Sequence, residues 1–153
     1  MIGAKYERCN NLSAEFSKVA TLLLNAWGAG SPFVAYSPIL WPGISSAVPT
    51  DANGNKIAHI RFFIMNGTAE QVSIGGITNI HRHPNILSVK VFTPQNQGEL
   101  PARALADKFC AIFRNLTSDN IRFKTPYCVV IGNTEDGYYQ INCFCPFERD
   151  SLL

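Results

Sequence analysis

Chemistry in a small protein needs a nucleophilic, titratable or metal-binding group beside a partner, and this chain offers few such pairings. His81-Arg82-His83 sets two histidines at i and i+2, which on a strand project to one side, and Cys143 and Cys145 repeat that spacing. Together they make a conceivable two-His, two-Cys zinc set. Structural zinc sites, however, draw their cysteines from tight C-x2-4-C knuckles, so Cys143 and Cys145 read better as small apolar packing residues and the histidines as solvated. A cysteine nucleophile requires a histidine and an orienting polar group. None of the five cysteines (Cys9, Cys110, Cys128, Cys143, Cys145) stands in such a setting, and Cys110 lies beside Phe109 within an apolar helix pattern. Ser118-Asp119-Asn120 matches one box of the penicillin-recognising serine enzymes, but no lysine follows a serine by three positions, so the S-x-x-K those enzymes need is missing. These three residues are expected to end a helix. There is no G-x-S-x-G, P-loop or G-x-G-x-x-G, and Gly75-Gly76 lacks the lysine and helix that phosphate binding needs, which leaves a bend. Glu135 and Asp136 fall in a turn, and Glu148 and Asp150 in a polar tail expected to begin at Pro146. The expectation is no catalytic residue, no cofactor, no metal and no enzyme activity.

Composition points away from chemistry as well. In 153 residues, charged side chains make up 16% and hydrophobic ones 46%, against about 25% charged in an average soluble protein. So little charge for so much apolar surface excludes disorder and suggests that other chains cover part of it. A net charge of +2 makes no case for direct nucleic-acid recognition, which uses a basic stripe. No apolar run approaches the ~18 residues that would span a membrane. The first eight residues lack a signal-peptide apolar core, so reduced cytosolic thiols are expected. The length suits a single domain over residues 1–153.

The elements that must position any site follow from periodicity. Residues 11–26 read as a helix, with Leu12, Phe16, Val19, Leu23 and Ala26 on one face, Asn11 or Ser13 as cap, and Glu15 answering the positive first turn. Residues 28–56, broken by Pro32, Pro38, Pro42 and Pro49, read as a long irregular arm that still carries Tyr36, Ile39 and Trp41. Strands are expected at 57–64, 70–74 and 86–92, with Asn66-Gly67 as a turn and Leu87, Val89 and Val91 facing the core. A second helix begins at Pro101, with Ala102, Leu105, Phe109, Ile112, Phe113 and Leu116 as its apolar stripe and Glu99, Arg103 and Asp107 as a charge ladder opposite. Short strands follow at 121–124, 127–131 and 138–144. Strands joined by short turns pair antiparallel, and both helices can cover one face. The fold class is α+β: a single domain with an antiparallel sheet, two main helices packed on one face and a long irregular arm.

In this order the elements carry a resemblance. An amphipathic helix leads into a Pro- and Gly-rich arm and a strand at Ile57 to Ile64. A His- and Arg-bearing approach at His81-Arg82-His83 then enters a strand closing in Phe92-Thr93-Pro94 and Gly98, which passes into Ala102-Arg103-Ala104-Leu105-Ala106-Asp107-Lys108-Phe109. The chain ends with Gly137-Tyr138-Tyr139-Gln140 and Cys145-Pro146-Phe147. This resembles the tail terminator (tail-completion, or minor tail) proteins of long-tailed bacteriophages, most specifically over 89–109. The resemblance implies a structural virion protein at the head-proximal end of the tail, made and assembled in the host cytoplasm. It implies a ring of about six copies, a homohexamer, that caps the tail tube, ends its polymerisation and offers the head-joining surface. The implied partners are other copies of the chain, the tail tube protein, and a head–tail connector or head-completion protein. The alternatives are a head-closure or connector component of the neck, or a small metal-binding α+β protein.

Ring contacts join two different patches of one subunit. Tyr36, Ile39 and Trp41 are expected to supply one patch. His81 and Arg82, with the exposed face of the strand that ends at Phe92, are expected to supply the other. The alternative for Trp41 is a core anchor of its own subunit. Arg61, Arg82 and Lys90 read as solvated charges, with lumen lining or pairing across subunits as the other possibility.

Overall fold

The computed structural model describes residues 7–8, 12–27, 38–44 and 47–152. Its backbone is a ribbon of two long antiparallel strands, β5 (Ile80–Pro94) and β9 (Tyr138–Leu152), paired residue for residue from Ile80↔Leu152 to Pro94↔Tyr138. Shorter strands lie along both edges. On the β5 side, β3 (His59–Asn66) and β4 (Glu70–Gln71) pair antiparallel with β5, and β2 (Ile39–Leu40) runs parallel to β3. On the β9 side lie β8 (Tyr127–Asn133), then β7 (Ile121–Phe123), which pairs with β6 (Thr117–Ser118), and finally β1 (Glu7–Arg8), parallel to β9. The nine-stranded sheet is thus antiparallel apart from two short parallel edge pairings.

Strand alternation fixes which face is the core. Leu87, Val89 and Val91 on β5, and Ile141, Cys143, Cys145 and Phe147 on β9, point to one side and are almost wholly buried. They meet Ile60 and Phe62 from β3 and Ile121 and Phe123 from β7. Helix α1 (Leu12–Trp27) contributes Val19, Leu23 and Trp27, and α2 (Leu100–Phe113) contributes Ala102, Leu105, Phe109 and Phe113, to the same cluster. Both helices therefore cover one face, as α+β packing requires. Each fully buried Leu, Ile or Phe here adds roughly 1.5–3 kcal/mol of transfer free energy.

Several boundaries differ from expectation. Pro146 does not begin a tail, because β9 continues to Leu152. It falls where the outer partner of β9 changes from β8 to β7, a position where a missing N–H interrupts no ladder. Asn66-Gly67 is not a hairpin turn. β3 and β4 run in the same direction along one edge of β5, so these residues form a jog between them. A Cβ at Gly67 would lie 2.6 Å from the Pro84 carbonyl oxygen, which accepts the Gly67 N–H at 2.8 Å. The hairpin tip is Gly75-Gly76 instead, with φ of 128° and 80°. Ser118-Asp119-Asn120 ends no helix. Asp119 and Asn120 turn the β6–β7 hairpin with Asp119 at φ 50°, and the left-handed residue after α2 is Asn115 at φ 51°. Trp27, one residue past the expected helix, ends α1 and is buried, whereas Leu12, expected on the apolar face, is 54% exposed. Asn11 lies outside the described residues. Of the arm, residues 38–44 lie on the domain's own sheet through β2.

Candidate functional site

Among the described residues the second face of the sheet carries no helix, and its side chains fall into rows set by the register. The central row is Phe63, Ser88, Phe144 and Tyr127, in which Phe63 and Tyr127 are each 49% exposed and Tyr127 stacks on Phe144 at 5.3 Å. Beside it lie Met65, Ile86 and Pro146. This is apolar surface of the kind a soluble subunit buries against another chain.

The two ends of the face differ in charge. At one end Arg82 grips Asp150 with two bonds, at 2.9 and 3.2 Å, and Arg122 reaches Asp150 at 3.0 Å. Lys124 pairs with Glu148 at 2.9 Å. Burial opposes ionisation of Asp150, but the Arg82 and Arg122 bonds outweigh it and hold the carboxyl below its ordinary value. Glu148 is lowered as well, first by its bond from Lys124. At the other end Phe92 stacks on His59 at 5.0 Å, Tyr138 meets both rings edge-on, and the Arg61 guanidinium lies 5.7 Å from the Phe92 ring centre. Burial pushes His59 below its usual value, which favours the neutral ring.

Beside this face β8 presents an outer edge, Tyr-Cys-Val-Val-Ile-Gly-Asn, with no charged residue. Val129, Val130 and Ile131 are 45–51% exposed. A bulge at Ile131, with Gly132 at φ 92°, shifts its register on β9 by one residue before pairing resumes at Gly132↔Gln140. Apolar edge strands without lysine or proline invite pairing with another chain.

The residues expected at a ring interface are dispersed. Ile39 pairs with Ile60 and packs on the core, and Trp41 meets Phe16 at 6.4 Å and Phe62 at 5.2 Å, so both anchor their own subunit. Trp41 also forms a wall of a groove between β2 and β3. Arg82 and Phe92 share the helix-free face but lie ten residues apart on β5, about 33 Å. His81 is half-buried between Gln71 and Ser151. Tyr36 and Cys9 lie outside the described residues.

The zinc set is not brought together. His83 sits opposite Arg149, with Nε2 2.7 Å from the Ser151 hydroxyl, whereas Cys145 and Cys143 face Leu87 and Val89 further along β5. Among the described residues no three His, Cys, Asp or Glu side chains are placed to share a metal. Cys145 packs in the core, as expected. Cys143 packs there too, and with Cys110 and Cys128 it also forms a chain of thiols with Sγ separations of 3.6 and 3.1 Å. Burial pushes Cys110 up to about 12 and raises Cys143 as well.

Sequence reasoning missed one polar centre. Glu15 stands in the first turn of α1 as expected, but it is buried, 2% exposed, and paired with Arg149 at 1%. It also accepts bonds from Asn66 at 2.8 Å and Asn85 at 3.3 Å. The signal was present: Glu15 precedes Val19 by four residues, on the apolar stripe, and Arg149 continues the odd-numbered alternation of β9.

A family model described as phage tail terminator protein matches residues 19–147, from the middle of α1 to the core residue Phe147 on β9. No curated protein matches the chain. Solved structures share its fold: one, at 17% identity, has a TM-score of 0.55 and covers 85% of this chain and 94% of its own. No helix among the described residues is long and apolar enough to cross a membrane.

Proposed function

This chain belongs to the phage tail terminator family, and we propose that it caps the tail tube as a closed ring of about six copies. The ring ends tube polymerisation and presents the surface to which a head–tail connector or head-completion protein joins. Family membership makes the chain a structural component of the phage tail, within the virion. The head-proximal position, the hexamer and the named partners are our reading.

The match over residues 19–147 carries this reading, because it takes in the second half of α1, all of α2 and most of the sheet. The apolar row Phe63, Phe144 and Tyr127 and the uncharged β8 edge support it as surfaces for copies of the chain. Ring subunits meet through unlike patches, so an asymmetric face with an ion-pair end and an aromatic end suits the role. Termination on this account is steric: a bound ring occupies the surface onto which the next layer of tube protein would dock, and no bond is made or broken.

Negative-stain imaging of particles assembled without this protein tests the proposal. Abnormally long tails are the expected result. Tails of normal length left unjoined to filled heads would move the chain to head closure and overturn termination.

A further inference from the structure

We propose that the β4–β5 hairpin tip of one copy, through Ile74 and Ile77, inserts into the groove between β2 and β3 of the next copy, and that this knob-in-groove contact closes the ring. The inference rests on the ring reading above and names its contact.

The knob is explicit. Ile74 is 99% and Ile77 is 101% exposed, at a tip turned by Gly75 and Gly76. Two isoleucines held wholly in water on a hydrogen-bonded hairpin lose the transfer free energy that most isoleucines gain. The hairpin base is fixed, since the Val72 N–H bonds the Ile80 carbonyl at 2.9 Å and the Ile80 N–H bonds the Ser73 hydroxyl at 2.7 Å. The base that carries the tip is thus held in place.

The groove is its complement. Leu40, Trp41, Ile44 and Phe63, with Arg61 and Lys90, line a cleft of about 420 Å³. Arg61 and Lys90 face each other directly across the β3–β5 ladder, and like charges so placed cost stability unless an acidic partner arrives. Between Asn66 and Asn79 the hairpin carries one charged residue, Glu70. Apolar knob meets apolar walls, and the acid meets two bases.

The chain cannot satisfy its own groove. Ile80, at the hairpin base, and Lys90, at the groove, lie ten residues apart on one continuous strand, about 33 Å. The contact is therefore between copies and joins unlike patches, the arrangement that produces rings when the rotation closes.

Photo-cross-linking with benzoylphenylalanine in place of Ile77, in the full chain assembled from mixed 14N and 15N copies, tests the contact. Mixed-isotope cross-links from the tip to residues 40–44 or 61–63 are expected. Ile74→Asp with Ile77→Asp should weaken self-association about a hundredfold. Glu70→Lys should weaken it several-fold, and adding Lys90→Glu should restore it. Cross-links to another surface, to the same copy or to the tube protein alone would overturn the contact, as would a double aspartate variant that assembles normally. Tail length without the protein is a separate readout, so normal rings with a misplaced tip would leave the capping proposal standing.

Discussion

Replacing Glu15 with glutamine removes one charge and almost no volume, and leaves Arg149 buried without its counter-ion. Both side chains are at most 2% exposed. Arg149 Nη1 is already buried with no hydrogen-bond partner among the described residues, so its charge leans on the bond from Nε to Glu15. Breaking one partner of such a pair costs about 3–5 kcal/mol. Asn66 and Asn85 also lose the carboxylate they donate to, which places Glu15→Gln toward the upper part of that range. With a urea m-value of ~2 kcal/mol/M, the unfolding midpoint should fall by ~1.5–2.5 M. Association stabilises the folded form, so the assay is urea denaturation followed by fluorescence at several protein concentrations. The double variant Glu15→Leu with Arg149→Met removes both charges and should recover at least half of the loss. A shift below ~0.5 M for Glu15→Gln would refute the claim that this pair holds α1 to the sheet.

Mild peroxide treatment should join Cys128 to Cys110 or Cys143: one peroxide takes both thiol hydrogens, forms the S–S bond and leaves two waters. Cys128 is the exposed member of the cluster, so intact-mass analysis should show the oxidised species vanish in Cys128→Ser. Stability should fall in two steps as pH drops. His59 and His83 are held below 6.5 by burial, so they favour folding above that pH and lose the contribution as pH falls through their folded values. Glu148 and Asp150, ordinarily 4.5 and 3.8 but lowered here, add a second loss at more acid pH, and thermal melts across pH 8 to 3 would check the order. Val130→Lys on the β8 edge should reduce self-association while changing subunit unfolding by less than ~0.5 kcal/mol, measured by sedimentation velocity alongside urea melts.

How far the sequence could be read depended on whether a local signal matched the tertiary role. Leu87, Val89 and Val91 were legible as core because alternation alone decides the face of a strand. The α2 stripe was legible because its period is helical throughout. Prolines misled: Pro146 ended a strand on paper but sits in a partner gap of β9. Asn66-Gly67 carried strong turn chemistry, yet β5 is long enough to accept β3 and β4 end to end, which converts the turn to a jog. Charge misled too, since Glu15 obeyed a first-turn rule while its helical phase placed it inside. The proposed interface residues were the least legible. Trp41 and Ile39 are apolar enough for either role, whereas Ile74 and Ile77, flanking a glycine pair, gave no periodic signal at all.

The β5–β9 ribbon behaves as a ruler with discrete markings. Because side chains change sides at every step, trimming one residue from each strand would turn every wall inside out beyond the cut. Trimming two from each strand would preserve every orientation and shorten the beam by about 7 Å. Relatives that differ in the span between hairpin tip and cleft should therefore differ by even increments, and the girth of whatever they assemble should change in steps.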